Sequence, residues 1–122
     1  MLIGPRIVVY DDEPLVALEL ASMLGDAGYD NVQTASDSKI ALAALEQWPP
    51  IDLLVSDIVN PDGLDGIALA RIARQRHPFI RVIFVSGYAS RPLERAIGWP
   101  ILVKPVYPKA FVAQVNSALG VA

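Results

Sequence analysis

The chain has no cysteine and only one histidine, His77, among its 122 residues. The first absence excludes a disulfide framework and a thiolate metal site, and it fits a reducing compartment. The second excludes a histidine-based catalytic or zinc centre built within one chain. No apolar run approaches the roughly 20 residues a membrane helix needs, and the Met1-Leu2-Ile3-Gly4 start lacks the shape of a signal peptide. A cytoplasmic location with no membrane partner is the expectation. There is no excess of positive charge either: the net charge is −3, which argues against nucleic acid as the partner. The one basic cluster, Arg71, Arg74, Arg76 and His77, reads as the solvated last turns of a helix, where cations suit the dipole. No repeat, low-complexity tract or linker marks a boundary, so residues 1–122 read as one domain.

What is present is an alternation of short apolar runs with helical patterns. Arg6–Tyr10, Val32–Ala35, Asp52–Ser56, Arg81–Val85 and Ile101–Val103 read as strands. Glu13 to about Ala27 reads as a helix burying Val16, Leu20, Met23, Leu24 and Ala27, with Pro14 at a favoured first position and Gly28 as its stop. Asp37–Trp48 reads as a second, with Ile40, Ala44, Leu45 and Trp48 on one face, ended by Pro49-Pro50. A third runs from about Asp65 to Arg76 over Ala68, Leu69, Ile72 and Ala73. Pro108 opens the last, over Phe111, Val112, Val115 and Leu119. Between the fourth and fifth strands Pro92, Gly98 and Pro100 leave room for little more than one turn. Continuous apolar strands alternating with amphipathic helices predict an α/β fold: a parallel sheet covered on both faces, with its ligand site beyond the carboxyl ends of the strands.

Those strand ends carry chemistry. The first ends in Asp11-Asp12-Glu13, the third at Asp57, the fourth at Ser86-Gly87 and the fifth at Lys104-Pro105. Two like charges at about 4 Å repel by roughly 4 kcal/mol at an intermediate dielectric. Neighbouring Asp11, Asp12 and Asp57 therefore call for compensation, which a hard divalent cation such as Mg²⁺ and the Lys104 ammonium would supply. A metal, an ammonium and a hydroxyl around one carboxylate suit phosphoryl transfer, with Asp57 as the nucleophile that forms an acyl phosphate. Plainer readings exist for each residue taken alone. Asp57 would cap a turn near Pro61, Asp11 and Asp12 would cap the first helix, Ser86 would be a turn hydroxyl and Lys104 a surface cation. Glu13 reads as a helix-start charge.

The segments "VVYDDEP", "LLVSDIVNP", "VIFVSGY" and "LVKP", in that order and spacing, resemble the receiver domains of two-component response regulators over essentially the whole chain. The resemblance implies a five-stranded parallel sheet of order 2-1-3-4-5 with the flavodoxin-like receiver fold and a shortened fourth helix. It implies Asp57 as phosphoacceptor and Mg²⁺ held by Asp12 and Asp57, by Asp11 partly through water, and by the backbone carbonyl of Val59. Ser86 and Lys104 would contact the phosphoryl group, and the Lys104–Pro105 bond would be cis. The phosphodonor would be a histidine kinase or a histidine phosphotransfer protein, and output would come from binding a downstream protein or from draining phosphate off a kinase. The chain would be no enzyme beyond its own Mg²⁺-dependent phosphorylation and dephosphorylation.

Three departures from the family pattern stand out. Asn60 replaces the usual Met before Pro61, and Asp62-Gly63-Leu64 adds one residue before Asp65-Gly66. Ile101 stands where the family carries a switch aromatic. The run Phe84-Val85-Ser86-Gly87-Tyr88 resembles that of a subgroup with a degenerate fourth helix. Tyr88 is then a candidate for the switching task, the alternative being that it packs over the short loop. Bulky Val59 and Tyr88 beside the phosphoryl group predict slow hydrolysis. Trp48 is expected in the core and Trp99, in the Gly-Trp-Pro turn, on the surface; the expected state is a monomer or weak dimer. Two related chemistries fit worse. An Asp-nucleophile phosphatase of the haloacid dehalogenase kind wants a second Asp where Val59 stands, and a flavodoxin-like cofactor binder wants a glycine-rich phosphate loop where Asp11-Asp12-Glu13 stands. The remaining alternatives are a phosphorylation-independent interaction module on the same fold and a receiver fragment of a hybrid histidine kinase.

Overall fold

The computed structural model describes residues 4–47, 50–59, 65–87 and 97–121. Five strands, β1 (Ile7–Tyr10), β2 (Val32–Ala35), β3 (Leu53–Ser56), β4 (Arg81–Ser86) and β5 (Ile101–Val103), form one sheet of order β2-β1-β3-β4-β5. Every pairing is parallel. Four helices accompany them among the described residues: α1 (Pro14–Asp26), α2 (Ser38–Leu45), α3 (Gly66–Arg76) and α4 (Pro108–Ala118). This is the predicted architecture and strand order. The shortened helix between β4 and β5, the loop after Asn60, Trp48 and Tyr88 lie outside the described residues.

Strand alternation splits the core into two layers, because successive side chains point to opposite faces. Val8, Tyr10, Leu54, Val82 and Phe84 face α2 and α3, meeting Ala41, Ala44, Leu45, Leu69 and Ala73. Ile7, Val9, Leu53, Val55, Ile83 and Val85 face α1 and α4, meeting Leu20, Leu24, Phe111 and Val115. Both faces of the three inner strands are thus dry, which is why β1, β3 and β4 read as apolar runs, whereas edge strand β2 keeps Gln33 and Thr34.

Local chemistry sets the helix starts. Asp37 accepts from Ile40 N at 2.8 Å and Asp65 from Ala68 N at 2.8 Å, each satisfying one of the free amides of a first turn. Pro14 and Pro108 open α1 and α4 where no amide is needed. Several expected burials need correcting. Ile40 is 49% exposed and Ala41 takes its place, since α2 turns its Ala41–Ala44–Leu45 stripe to the sheet. Ala27 lies past the end of α1 and is exposed, while Ala17 is buried instead. Ala68, Ile72, Val112, Leu119, Val16 and Met23 are half-buried at the margins of their helices.

The basic cluster is not a uniformly solvated face. Arg74 Nη2 donates to Ile80 O at 2.9 Å, and its guanidinium lies 5.3 Å from the centroid of Trp99. His77 Nε2 donates to the Leu45 carbonyl, and Arg76 pairs with Glu46. Trp99 is likewise half-buried: its ring meets Phe84 edge-on, 5.9 Å between centroids. Ile97 and Trp99, on the turn before β5, both pack against the α2–α3 layer of the core.

Candidate functional site

Parallel pairing brings the carboxyl ends of β1, β3, β4 and β5 to one edge. Tyr10 is in register with Ser56, Ser56 with Phe84, and Ser86 with Val103. The residues that follow, Asp11, Asp57 and Lys104, therefore share that edge. Asp57 N donates to Tyr10 O at 3.0 Å and Lys104 N to Ser86 O at 2.7 Å, so strand hydrogen bonding continues to the site itself.

Lys104 Nζ is 3.0 Å from Asp11 Oδ2 and 3.3 Å from Asp57 Oδ2. Asp11 is 1% exposed and Asp57 9%, and Ser86 is buried beside them. The remaining oxygen of each acid is also held. Asp11 Oδ1 accepts from Glu13 N at 2.9 Å, and Asp57 Oδ1 accepts from Ile58 N at 2.8 Å. Asp11 thus holds the chain that enters α1 while facing the site, but it does not cap the helix: the N-cap position is Glu13, and no side chain caps it. Glu13 is exposed at the start of α1, as a helix-start charge should be.

Burial pushes the Asp57 carboxyl above the usual range; Lys104 opposes that shift, Asp11 adds to it, and the amide of Ile58 opposes it. For Lys104, burial works against the ammonium, but the hydrogen bond and charge of Asp11, followed by those of Asp57, outweigh it and raise the pKa. Asp11, half-buried Asp12 and Asp57 each offer an oxygen, all within 4.8 Å of one another. Three carboxylates face one ammonium, an imbalance that a hard divalent cation with oxygen ligands would relieve.

Gly66, the first residue of α3, has no sequence-based role beyond its place in the Asp65-Gly66 pair, yet it shapes the site. Its amide donates to Ile58 O at 2.8 Å. A Cβ there would stand 1.8 Å from Asp57 O and 2.7 Å from Ser56 Oγ. α3 can approach the end of β3 this closely only because that side chain is missing. The signal was available: a glycine directly after an N-cap aspartate is a poor helix former whose place there needs a packing reason.

Val59 is 68% exposed at the rim, and Ile101 is 6% exposed within the α2–α3 layer. The Lys104–Pro105 bond is cis, as expected. A cavity of about 390 Å³ opens beside Lys104, between α1 (Val16, Glu19, Leu20) and the β5–α4 turn (Pro105, Val106). The three acids do not line it, so it flanks the site rather than forming it.

The response regulator receiver domain model matches residues 7–116. The chain belongs to that family. It is 30% identical to the transcriptional regulatory protein AruR of Pseudomonas aeruginosa over 98% of its length, and 34% identical to the sensor kinase CckA of Brucella abortus over 93%. It spans only 51% of AruR and 12% of CckA. It is 30% identical over 93% of its length to the response regulator receiver protein CpdR of Brucella abortus, of which it spans 96%. Among solved structures, a receiver protein from Sinorhizobium medicae superposes with a TM-score of 0.86 at 30% identity, covering 98% of both chains. This receiver contains no helix long and apolar enough to cross a membrane among its described residues.

Proposed function

We propose that this receiver is a phosphorylation switch that accepts a phosphoryl group on Asp57 from a histidine kinase or histidine phosphotransfer protein. The observation that carries the reading is the bridging of Asp11 and Asp57 by Lys104, at an edge where Asp12 supplies a third carboxylate. Asp11, Asp12 and Asp57, with the Val59 carbonyl, are the residues that would hold Mg²⁺. When bound, the ion supplies charge neutralisation at the phosphoryl oxygens.

The chain's own residues do the rest. The Ile58 amide fixes one oxygen of Asp57, leaving the other, now on Lys104, to attack phosphorus as the donor's phosphorus–nitrogen bond breaks. The product acyl phosphate carries about two negative charges. Lys104 Nζ lies 3.3 Å from Asp57 Oδ2, which supports its pairing with the phosphoryl group, and the hydroxyl of Ser86, which ends β4 on the same edge, would donate to the new oxygens. Drawing these two groups inward biases the β4 and β5 ends, the local event from which a change in partner binding would follow. Exposed Leu15 and Leu18 of α1 and Tyr107 before α4 give the same edge an apolar rim for a protein donor. The cytoplasm, where such donors act, is the proposed location.

Ile101 favours keeping a second reading, an interaction module that no longer switches, because an aliphatic side chain buried in the core has no polar tip to move. Beryllofluoride with Mg²⁺ separates the two. A switch predicts a rise in Tm of several degrees for the wild type and none for Asp57→Asn. No rise in either, with no Mg²⁺ binding in a titration, would establish the non-switching module.

A further inference from the structure

The pole of the sheet opposite Asp57 carries an aromatic side chain that the fold does not use. Phe79, in the α3–β4 turn, is 87% exposed. Single exposed apolar residues are ordinary; the surroundings of this one are not. It stands between two cavities. One, of about 420 Å³, has walls from Pro50, Ile51, Pro78 and Ile80. The other, of about 350 Å³, is bounded by Asp52, Arg81 and the end of α4 from Ser117 to Gly120. Val121, next along the chain, is 48% exposed.

Two opposite charges lie beside this knob without pairing. Arg81 N donates to Asp52 O at 2.9 Å across adjacent strands, so the two residues are neighbours. Both are exposed. Yet the ion pairs among the described residues are those of Arg76 with Glu46 and of Lys104 with Asp11 and Asp57. Arg81 Nη1 instead donates to Phe79 O at 3.2 Å, which holds the guanidinium against the turn. Asp52 Oδ2 accepts from Arg6 N at 2.8 Å.

We propose that this pole docks a second copy of the chain about a two-fold axis. Phe79 of each copy enters the proline-walled cavity of the other, and Asp52 of each faces Arg81 of its partner. Charge selects this occupant. Arg6, Arg76 and Arg81 stand against Glu46 and Asp52, so the pole is nearly neutral and offers little to a strongly charged ligand. A two-fold contact brings each unpaired charge to its opposite, which is self-complementarity of the kind isologous interfaces require. The pairing leaves both Asp57 edges facing outward, open to a phosphodonor. A contact centred on one turn and one helix end is small, so the association is weak.

Sedimentation equilibrium on the 122-residue chain between about 10 µM and 1 mM spans the affinities expected of so small a contact. The mass should rise with concentration and level at two copies. Phe79→Ser should weaken association at least about tenfold, as loss of a central aromatic anchor does. Arg81→Asp should also weaken it, and the double variant Asp52→Arg/Arg81→Asp should restore it; circular dichroism shows whether each variant is folded. A chain that stays monomeric throughout, that grows beyond two copies, or that associates unchanged in folded Phe79→Ser would overturn the proposal.

Discussion

Lys104 bridges Asp11 and Asp57, its Nζ 3.0 Å from one carboxylate and 3.3 Å from the other. One ammonium from β5 thereby ties the ends of β1 and β3 together across the strand between them and itself. The bridge balances the buried acids, a task that a divalent cation and a phosphoryl group would share under the proposed function.

Removing the ammonium leaves Asp11 and Asp57 facing each other uncompensated. Lys104→Met should lower stability by about 2 kcal/mol, below the usual cost of breaking a buried pair because the lysine is a quarter exposed. Saturating Mg²⁺ should recover most of that loss, and the variant should bind Mg²⁺ more tightly than the wild type. Chemical denaturation with and without Mg²⁺ measures both.

Asp57 itself is a stability liability at neutral pH. Its folded pKa is raised, mainly by burial, so between the unfolded and folded values the native state holds more protons. Its contribution is fully present below the unfolded pKa and is lost as pH rises through the folded one. Asp57→Asn should therefore be more stable than the wild type at pH 7 without metal, by about 1 kcal/mol. The difference should vanish at acid pH. Tm measured across a pH series follows it.

Gly66→Ala tests the approach of α3 to β3. A methyl group 1.8 Å from the Asp57 carbonyl oxygen forces the helix or the strand end to move. Loss of about 3 kcal/mol or more is expected, the overpacking class of effect. Because Asp57 moves with that backbone, the surviving folded fraction should also bind Mg²⁺ less well.

Trp99 is a packing residue in this structure, seated edge-on against Phe84 and under Arg74. Trp99→Ala should cost about 3 kcal/mol, far more than an exposed partner-surface residue would. Denaturant unfolding of the variant decides between the two.

The fold and most of the site were legible in the sequence because both depend on strand ends. An apolar run that terminates in an acid or a lysine announces where the sheet stops and what stands there, so Asp11, Asp57, Ser86 and Lys104 were found together. Less legible were features set by which helix stripe meets the sheet. Ile40 and Ala41 are adjacent and both apolar, and only packing shows that the smaller one faces inward. The packing of Arg74, His77 and Trp99 is illegible for a related reason. Arg74 reaches the Ile80 carbonyl and the Trp99 ring, His77 the Leu45 carbonyl, and Trp99 packs on Phe84, contacts that only the folded chain brings together. The role of Gly66 is not legible in the sequence because a close approach is a property of two elements, and Asp57, whose carbonyl it meets, lies nine residues earlier.

The most direct test of the phosphoacceptor is intact mass after incubation with Mg²⁺ and a small-molecule phosphodonor, wild type beside Asp57→Asn. One phosphoryl adduct is expected on the wild type, lost when Mg²⁺ is chelated, and none on the variant. An adduct of equal yield on Asp57→Asn, or none on a wild type shown to bind Mg²⁺, would contradict it.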